Sequence, residues 1–202
     1  MNIPDRLTFL RLILAPVFFV VYTLPKLLPA HLTDSARWLV PLLWVIFIVS
    51  EITDMLDGMM ARRLNQSSDF GKLLDPFADT LMQITCFLCF VIDGIFPAIL
   101  FLVVLYREFG ILLIRNLMLK KGISMGARMG GKIKTVAYIG AAAIALLYVS
   151  LTRLNAAEHL QPVVRIVALA VFGVSVLFSV LSFFDYVAVY RGKLTKNPAE
   201  PQ

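Results

Sequence analysis

Charge is what this chain has least of. Only 16% of its 202 residues are Asp, Glu, Lys or Arg, whereas a soluble domain carries about 25%. That shortage, with 59% hydrophobic residues and a mean hydropathy of +0.83, excludes an ordinary water-soluble domain and predicts a polytopic membrane protein. Cysteine is nearly absent as well. Cys86 and Cys89 form a single C-x2-C inside an apolar run, which excludes a disulfide framework or a four-cysteine zinc site and leaves packing as their expected role. The only histidines, His31 and His159, fall in connecting segments away from the acidic residues, so neither is expected to be a catalyst. There is no internal repeat and no low-complexity segment. The glycine-rich basic stretch Gly126–Thr135 does not make a phosphate-binding P-loop, because the required spacing fails at Ile133.

Long apolar runs are plentiful. A span needs about 20 largely apolar residues, and the pattern predicts six: Leu7–Leu24, Ala36–Met55, Asp75–Ile92, Phe96–Leu119, Ile133–Thr152 and Pro162–Val187. The expected fold is therefore all-α, one membrane domain over residues 1–192, with a disordered cytoplasmic tail at 193–202. Arg11 and Pro16 interrupt the first apolar run and no small-residue cleavage site precedes Pro25, so this run is expected to be a span rather than a signal peptide. Arg6, Arg62, Arg63, Lys72, Lys120, Lys121, Arg128, Lys132, Lys134, Arg191, Lys193 and Lys196 all fall on the side of the termini and of the 2–3 and 4–5 connections. That side is predicted to be cytoplasmic. The opposite side has only Lys26, Arg37, Arg153 and Arg165 nearby. The net charge of +6 thus reads as topology and anionic headgroups, not nucleic-acid binding.

Against this background four carboxylates stand out. Asp54 and Asp57 are three apart and Asp75 and Asp79 four apart, so each pair shares a helical face if its segment is helical, and the two faces can converge. Carboxylates crowded together and partly out of water raise one another's pKa, and a divalent cation removes that conflict. An oxygen-only ligand set favours Mg²⁺, Mn²⁺ or Ca²⁺ over zinc. The bland reading is a solvated loop with helix-capping acids; ionisable groups inside a membrane segment weigh against it. A divalent-cation transport path is a second reading, but it calls for acids strung across the bilayer, whereas these cluster near one face.

The same residues fit D-x2-D-G-x2-A-R-x8-G-x3-D-x3-D from Asp54 to Asp79 without a departure. This resembles the signature of the CDP-alcohol phosphotransferases, integral membrane enzymes of phospholipid synthesis. The resemblance implies metal-dependent transfer from CDP-diacylglycerol to an alcohol, with Mg²⁺ or Mn²⁺, two per site, held by Asp54, Asp57, Asp75 and Asp79. It assigns the general base to Asp79 and the CDP-diacylglycerol contacts to Gly58, Ala61, Arg62 and Gly71, with Ser68 as a secondary candidate. Chemistry agrees with these assignments: glycine and alanine keep a wall low for a bulky nucleotide, and arginine offers a planar fork to phosphate. The opening Asn2–Arg11 is similar to the N-terminal stretch of one branch of the family, where an Asn and a Thr lie beside the nucleotide, which points to Asn2 and Thr8. Arg11 itself is open between snorkelling to the interface and a place in the site.

The fourth predicted span is unusual in carrying Arg107, Glu108 and Arg115. A charge at mid-membrane costs ~2.5–3.5 kcal/mol on insertion scales, so these groups are expected to face the bundle interior in pairs. For Arg107, pairing with Glu108 and contact with substrate stand as equal alternatives. Together with the basic 4–5 connection they resemble the glycerol-phosphate-using branch of the family. This implies sn-glycerol 3-phosphate as acceptor, held by Arg115, Lys132, Lys134 and Arg107. A positive-inside loop is the alternative for the connection, and other branches making cardiolipin, phosphatidylserine or inositol-phosphate lipids are the alternatives for the acceptor. Family members form homodimers, and the same is expected here. Ala137, Gly140 and Gly173 favour close packing of the last two spans, which read as scaffold.

The charge pattern generates a test of sidedness. Ser67→Cys is expected to react with a membrane-impermeant thiol reagent only from the cytoplasmic face, and Asn155→Cys only from the opposite face; the reverse labelling pattern would overturn the predicted topology.

Overall fold

The computed structural model describes residues 3–29, 37–64, 69–120 and 129–196, with side chains over 6–29, 37–56, 74–118 and 133–192. Within these residues the chain forms six long helices: α1 Ile3–Leu27, α2 Leu39–Leu64, α3 Asp69–Ile92, α4 Ala98–Lys120, α5 Met129–Arg153 and α6 Gln161–Lys196, the last preceded by a 3₁₀ turn at Glu158–Leu160. Proline marks the starts. Pro4, Pro41 and Pro162 lie in the first turns of α1, α2 and α6, and Pro97 stands just before α4. There the missing N–H is one of the helix's unpaired donors anyway. At the end of α3, Gly94 takes φ +66° and the amides of Gly94 and Ile95 return to the carbonyls of Val91 and Phe90 at 2.9 Å each, closing the helix.

Five of the helices are long and apolar enough to cross a bilayer, through Arg6–Leu27, Leu39–Leu56, Leu74–Ile92, Ile133–Arg153 and Glu158–Gly192. The expected six helices are present, and five of the six expected spans are supported by length and composition. α4 is 23 residues long and no less apolar on average than the others. Arg107, Glu108 and Arg115, however, put three charges into every 18-residue stretch of it, whereas each of the other five has such a stretch with no more than two. Two boundaries also differ from the sequence pattern. α3 begins at Asp69, so Pro76 lies inside the helix and not at its start. α6 continues to Lys196, so positions 193–196, assigned to the tail, are helical; positions 197–202 lie outside the described residues.

α1 packs against α2 and α3, α5 against α6, and α6 also against α4; contacts of α3 with α4 and α5 join the two groups. The junction is aromatic. Phe96 stacks on Phe172 with ring centroids 3.9 Å apart, and Phe87 meets Tyr138 and Phe172 edge-on at 5.2 and 5.1 Å. Cys86 and Cys89 are buried and free in this same core, which is the packing role expected for them. The outward faces are apolar too: Val20, Val45, Ile99, Leu113, Val136, Ile166 and Phe184 are each more than half exposed. A water-soluble protein would not present so continuous an apolar surface, whereas lipid tails match it.

One end of the bundle is closed by polar contacts. The Tyr22 hydroxyl donates to Asp93 at 2.6 Å and Lys26 pairs with Asp93. Arg153 donates to the Tyr22 carbonyl at 2.8 Å, and Arg165 to the Gly94 carbonyl at 2.9 Å. These ties leave opening to the other end, where three helices gather the acids.

Candidate active site

Three aspartates from two helices converge on one arginine from a third. Asp54 stands near the end of the apolar part of α2, and Asp75 and Asp79 lie one turn apart on α3, so both point to the same side. α1 packs against both helices, which carries Arg11 to the junction. Arg11 Nη1 donates to Asp54 Oδ1 at 2.7 Å and Nη2 to Asp75 Oδ1 at 2.5 Å, and the guanidinium also pairs with Asp79. The arginine side chain is 1% exposed while the three carboxylates are 41–42% exposed. Arg11 therefore underlies the cluster, and the aspartates keep an open side. Snorkelling, the alternative open from sequence, would have left Arg11 at the interface.

A carboxylate oxygen from each of Asp54, Asp75 and Asp79 lies within 4.8 Å of the other two. One guanidinium against three carboxylates leaves a formal charge of −2, which a divalent cation neutralises. The donor set is all oxygen, as Mg²⁺ or Mn²⁺ prefers, so the residues fit such an ion. Glu51, one turn before Asp54, adds a further carboxylate beside them.

The open side leads into a cavity of about 260 Å³. Arg11, Glu51, Asp54 and Asp79 line one wall, Arg107, Glu108, Arg115, Lys134 and Tyr186 the other. Lys134 is buried and donates to Glu108 Oε1 at 2.9 Å, its ammonium 4.6 Å from the Tyr138 ring. Arg115 reaches the Tyr186 hydroxyl at 3.2 Å and lies over that ring. Arg107 donates to both Glu108 oxygens at 2.8 and 2.9 Å, to the Ser179 carbonyl at 3.1 Å and to Ser182 Oγ at 3.1 Å. Every guanidinium nitrogen of Arg107 thus bonds to protein, which favours the pairing alternative over substrate contact.

The other sequence candidates fall as follows. Thr8 is buried one turn before Arg11. Asp57, Gly58, Ala61 and Arg62 continue α2 past Asp54, and Gly71 lies in the first turn of α3; for these the structure describes backbone alone. Asn2 and Ser68 lie outside the described residues. Lys132 is in α5, two positions from Lys134, and residues two apart do not share a helix face. Tyr186 and the α6 serines were missed from sequence, where α6 read as scaffold. Their signal was there: Ser175, Ser179, Ser182 and Tyr186 recur at intervals of four, three and four, a polar stripe on one face of an otherwise apolar helix.

Multiple helices apolar enough to cross a membrane, half-buried carboxylates and a charged cavity beside them have the character of a polytopic membrane enzyme. Comparison of the sequence with known families makes this specific: residues 1–181 match the CDP-alcohol phosphatidyltransferase family, and the chain belongs to it. It is a transferase of phospholipid biosynthesis. Among curated relatives, the chain is 36% identical to a CDP-diacylglycerol–glycerol-3-phosphate 3-phosphatidyltransferase of Treponema pallidum, over 94% of this chain and 89% of the relative. It is 33% identical to the Bacillus subtilis protein of the same description, over 73% and 77%. It is 30% identical to a probable phosphatidylglycerophosphate synthase of Mycobacterium tuberculosis, over 93% and 80%.

The buried arginine generates a prediction. Arg11→Met is expected to lower stability by about 3 kcal/mol, the lower end for breaking a buried ion pair because the partner acids are partly solvated. Thermal unfolding of detergent-solubilised protein measures it, and Mg²⁺ is expected to restore part of the loss by neutralising the same carboxylates. A loss that Mg²⁺ leaves unchanged would contradict the charge assignment.

Proposed function

We propose that this chain transfers the phosphatidyl group of CDP-diacylglycerol to sn-glycerol 3-phosphate, releasing CMP. The observation that carries the proposal is the single cavity shared by the aspartate cluster and the cations Arg115 and Lys134. A donor pyrophosphate and an acceptor phosphate both require compensation there, and the two walls supply it separately. The relatives described as glycerol-3-phosphate phosphatidyltransferases support the same acceptor.

In this reading the acceptor's primary hydroxyl oxygen attacks the phosphorus esterified to diacylglycerol. The P–O bond to CMP breaks and CMP departs with its electron pair. Asp79, which lines the cavity one turn beyond Asp75, accepts the hydroxyl proton as general base. No covalent enzyme intermediate is required. Arg115 and Lys134 orient the acceptor through its phosphate, while Gly58, Ala61, Arg62 and Gly71 bound the CDP side, with Asn2, Thr8 and Ser68 as further contacts there. Mg²⁺ or Mn²⁺, two per site and held by Asp54, Asp57, Asp75 and Asp79, supplies polarisation of the phosphate and neutralisation of the leaving group. The acyl chains stay in the bilayer, which accounts for a site sunk among helices. We place the site on the cytoplasmic side, count α4 as a sixth span within a membrane domain of residues 1–192, and take the working unit as a homodimer.

The direct experiment incubates purified protein with CDP-diacylglycerol, Mg²⁺ or Mn²⁺ and each candidate alcohol in turn, following CMP release. Glycerol 3-phosphate is expected to be the efficient acceptor; better turnover with glycerol, serine or an inositol phosphate would move the chain to another branch of the family. Asp54→Asn, Asp57→Asn, Asp75→Asn and Asp79→Asn are each expected to remove most activity while the protein still inserts, and EDTA to do so reversibly. Of these, Asp79→Asn is expected to spare CDP-lipid binding more than Asp54→Asn, because a base acts on the other substrate.

The acceptor wall has its own test. Arg115→Gln and Lys134→Gln are expected to lower kcat/KM for glycerol 3-phosphate by about ten- to a hundredfold, the scale of one lost charged hydrogen bond, with KM for CDP-diacylglycerol little changed. Lys132→Gln, on a different face of α5, is expected to act in the same direction but more weakly, and Arg62→Gln to weaken the CDP-lipid side instead. Unchanged acceptor kinetics in the Arg115 and Lys134 variants would remove these residues from the acceptor site.

A further inference from the structure

The acceptor wall contains an acid that a phosphate-binding surface does not call for. Glu108 is 4% exposed and lines the cavity between Arg107 and Lys134. Its Oε1 accepts from Arg107 Nη1 at 2.8 Å and from Lys134 Nζ at 2.9 Å, and its Oε2 accepts from Arg107 Nη1 at 2.9 Å. Behind it, Arg107 is fixed to α6 through the Ser179 carbonyl and Ser182. The result is a relay from the backbone of α6, through Arg107 and Glu108, to the ammonium of Lys134 on α5.

From this arrangement we propose that Glu108 is a positioning residue that fixes Lys134 and matches the wall's charge to a phosphate monoester dianion. The proposal rests on the acceptor reading above. Lysine is a point charge on a flexible stem, and by itself its ammonium has no defined place. Glu108 gives it one, because the carboxylate is held on the opposite side by a guanidinium whose nitrogens are all bonded. Charge leads to the same conclusion. Arg107, Lys134 and Arg115 bring three positive charges to this wall and Glu108 one negative, leaving two. Two is the charge of a phosphate monoester dianion, and an uncharged or zwitterionic alcohol leaves it uncompensated. Without Glu108 the buried Arg107 and Lys134 face each other uncompensated, and the flexible lysine is the one that gives way.

Glu108→Gln tests this, read as separate KM values for the two substrates. KM for glycerol 3-phosphate is expected to rise about tenfold while KM for CDP-diacylglycerol changes less than about twofold. Coupling shows whether Glu108 acts through Lys134: in a Lys134→Gln background the Glu108→Gln change is expected to add little. Glu108→Asp, which keeps the charge on a shorter stem, is expected to show the same split with a smaller rise. It replaces Glu108→Gln as the reading if that variant does not fold in detergent. Equal rises in both KM values, an unchanged acceptor KM, or full additivity with Lys134→Gln would overturn the proposal. Absence of glycerol 3-phosphate turnover by the wild-type protein would instead overturn the acceptor reading itself, so the two failures are distinguishable.

Discussion

The structure depends on holding three carboxylates together at the edge of a hydrocarbon medium. Each is costly to desolvate alone, and placed within 4.8 Å of one another they also repel. Arg11 resolves the conflict from below. Its guanidinium reaches all three aspartates while being 1% exposed, so α1, α2 and α3 are joined by charge at this end of the bundle. A planar fork suits this task, since Nη1 reaches Asp54 on α2 and Asp79 on α3 while Nη2 reaches Asp75 on α3. The aspartates are left partly open and still net negative, which is the condition for binding a divalent cation.

The second half of the site follows the same physics with the sign reversed. Arg107, Arg115 and Lys134 sit among apolar helices, where an isolated cation is costly. Each is compensated locally, Arg107 and Lys134 by Glu108 and Arg115 by the hydroxyl and ring of Tyr186. The cavity between the walls is thus bordered by carboxylates on one side and by cations on the other. Such a division suits a reaction between two anionic molecules, one approached through metal and the other through fixed cations. It also accounts for the charges within α4, since Arg107, Glu108 and Arg115 all line this cavity.

Much of this was legible before folding. The helix number follows from runs of about 20 apolar residues, and the aspartate signature with its spacing pointed to the family and to the three acids, Asp54, Asp75 and Asp79, that the structure brings together. Spacing suffices there because Asp75 and Asp79 are four apart on one helix, so local geometry alone aligns them. Pro76 was harder to place, since proline near a helix start and proline one turn further in look alike in sequence. Five of the six expected spans meet the criterion of length and apolarity, and α4 stands apart because Arg107, Glu108 and Arg115 lie within it.

Sequence by itself determined what local periodicity controls: six helices, an apolar exterior, two aspartates on one face of α3 and a third placed to join them. Tertiary structure alone decided the partners of the isolated charges. Arg11 lies 43 residues from Asp54, Lys134 lies 26 from Glu108, and Arg115 lies 71 from Tyr186. A lone arginine in an apolar run reads equally as a snorkelling anchor or a buried counter-ion, and a serine stripe on a long helix reads as packing. The difference is set by which helices meet, and that depends on the aromatic junction around Phe87, Phe96 and Phe172, whose ring contacts join residues as far apart in sequence as Phe87 and Phe172.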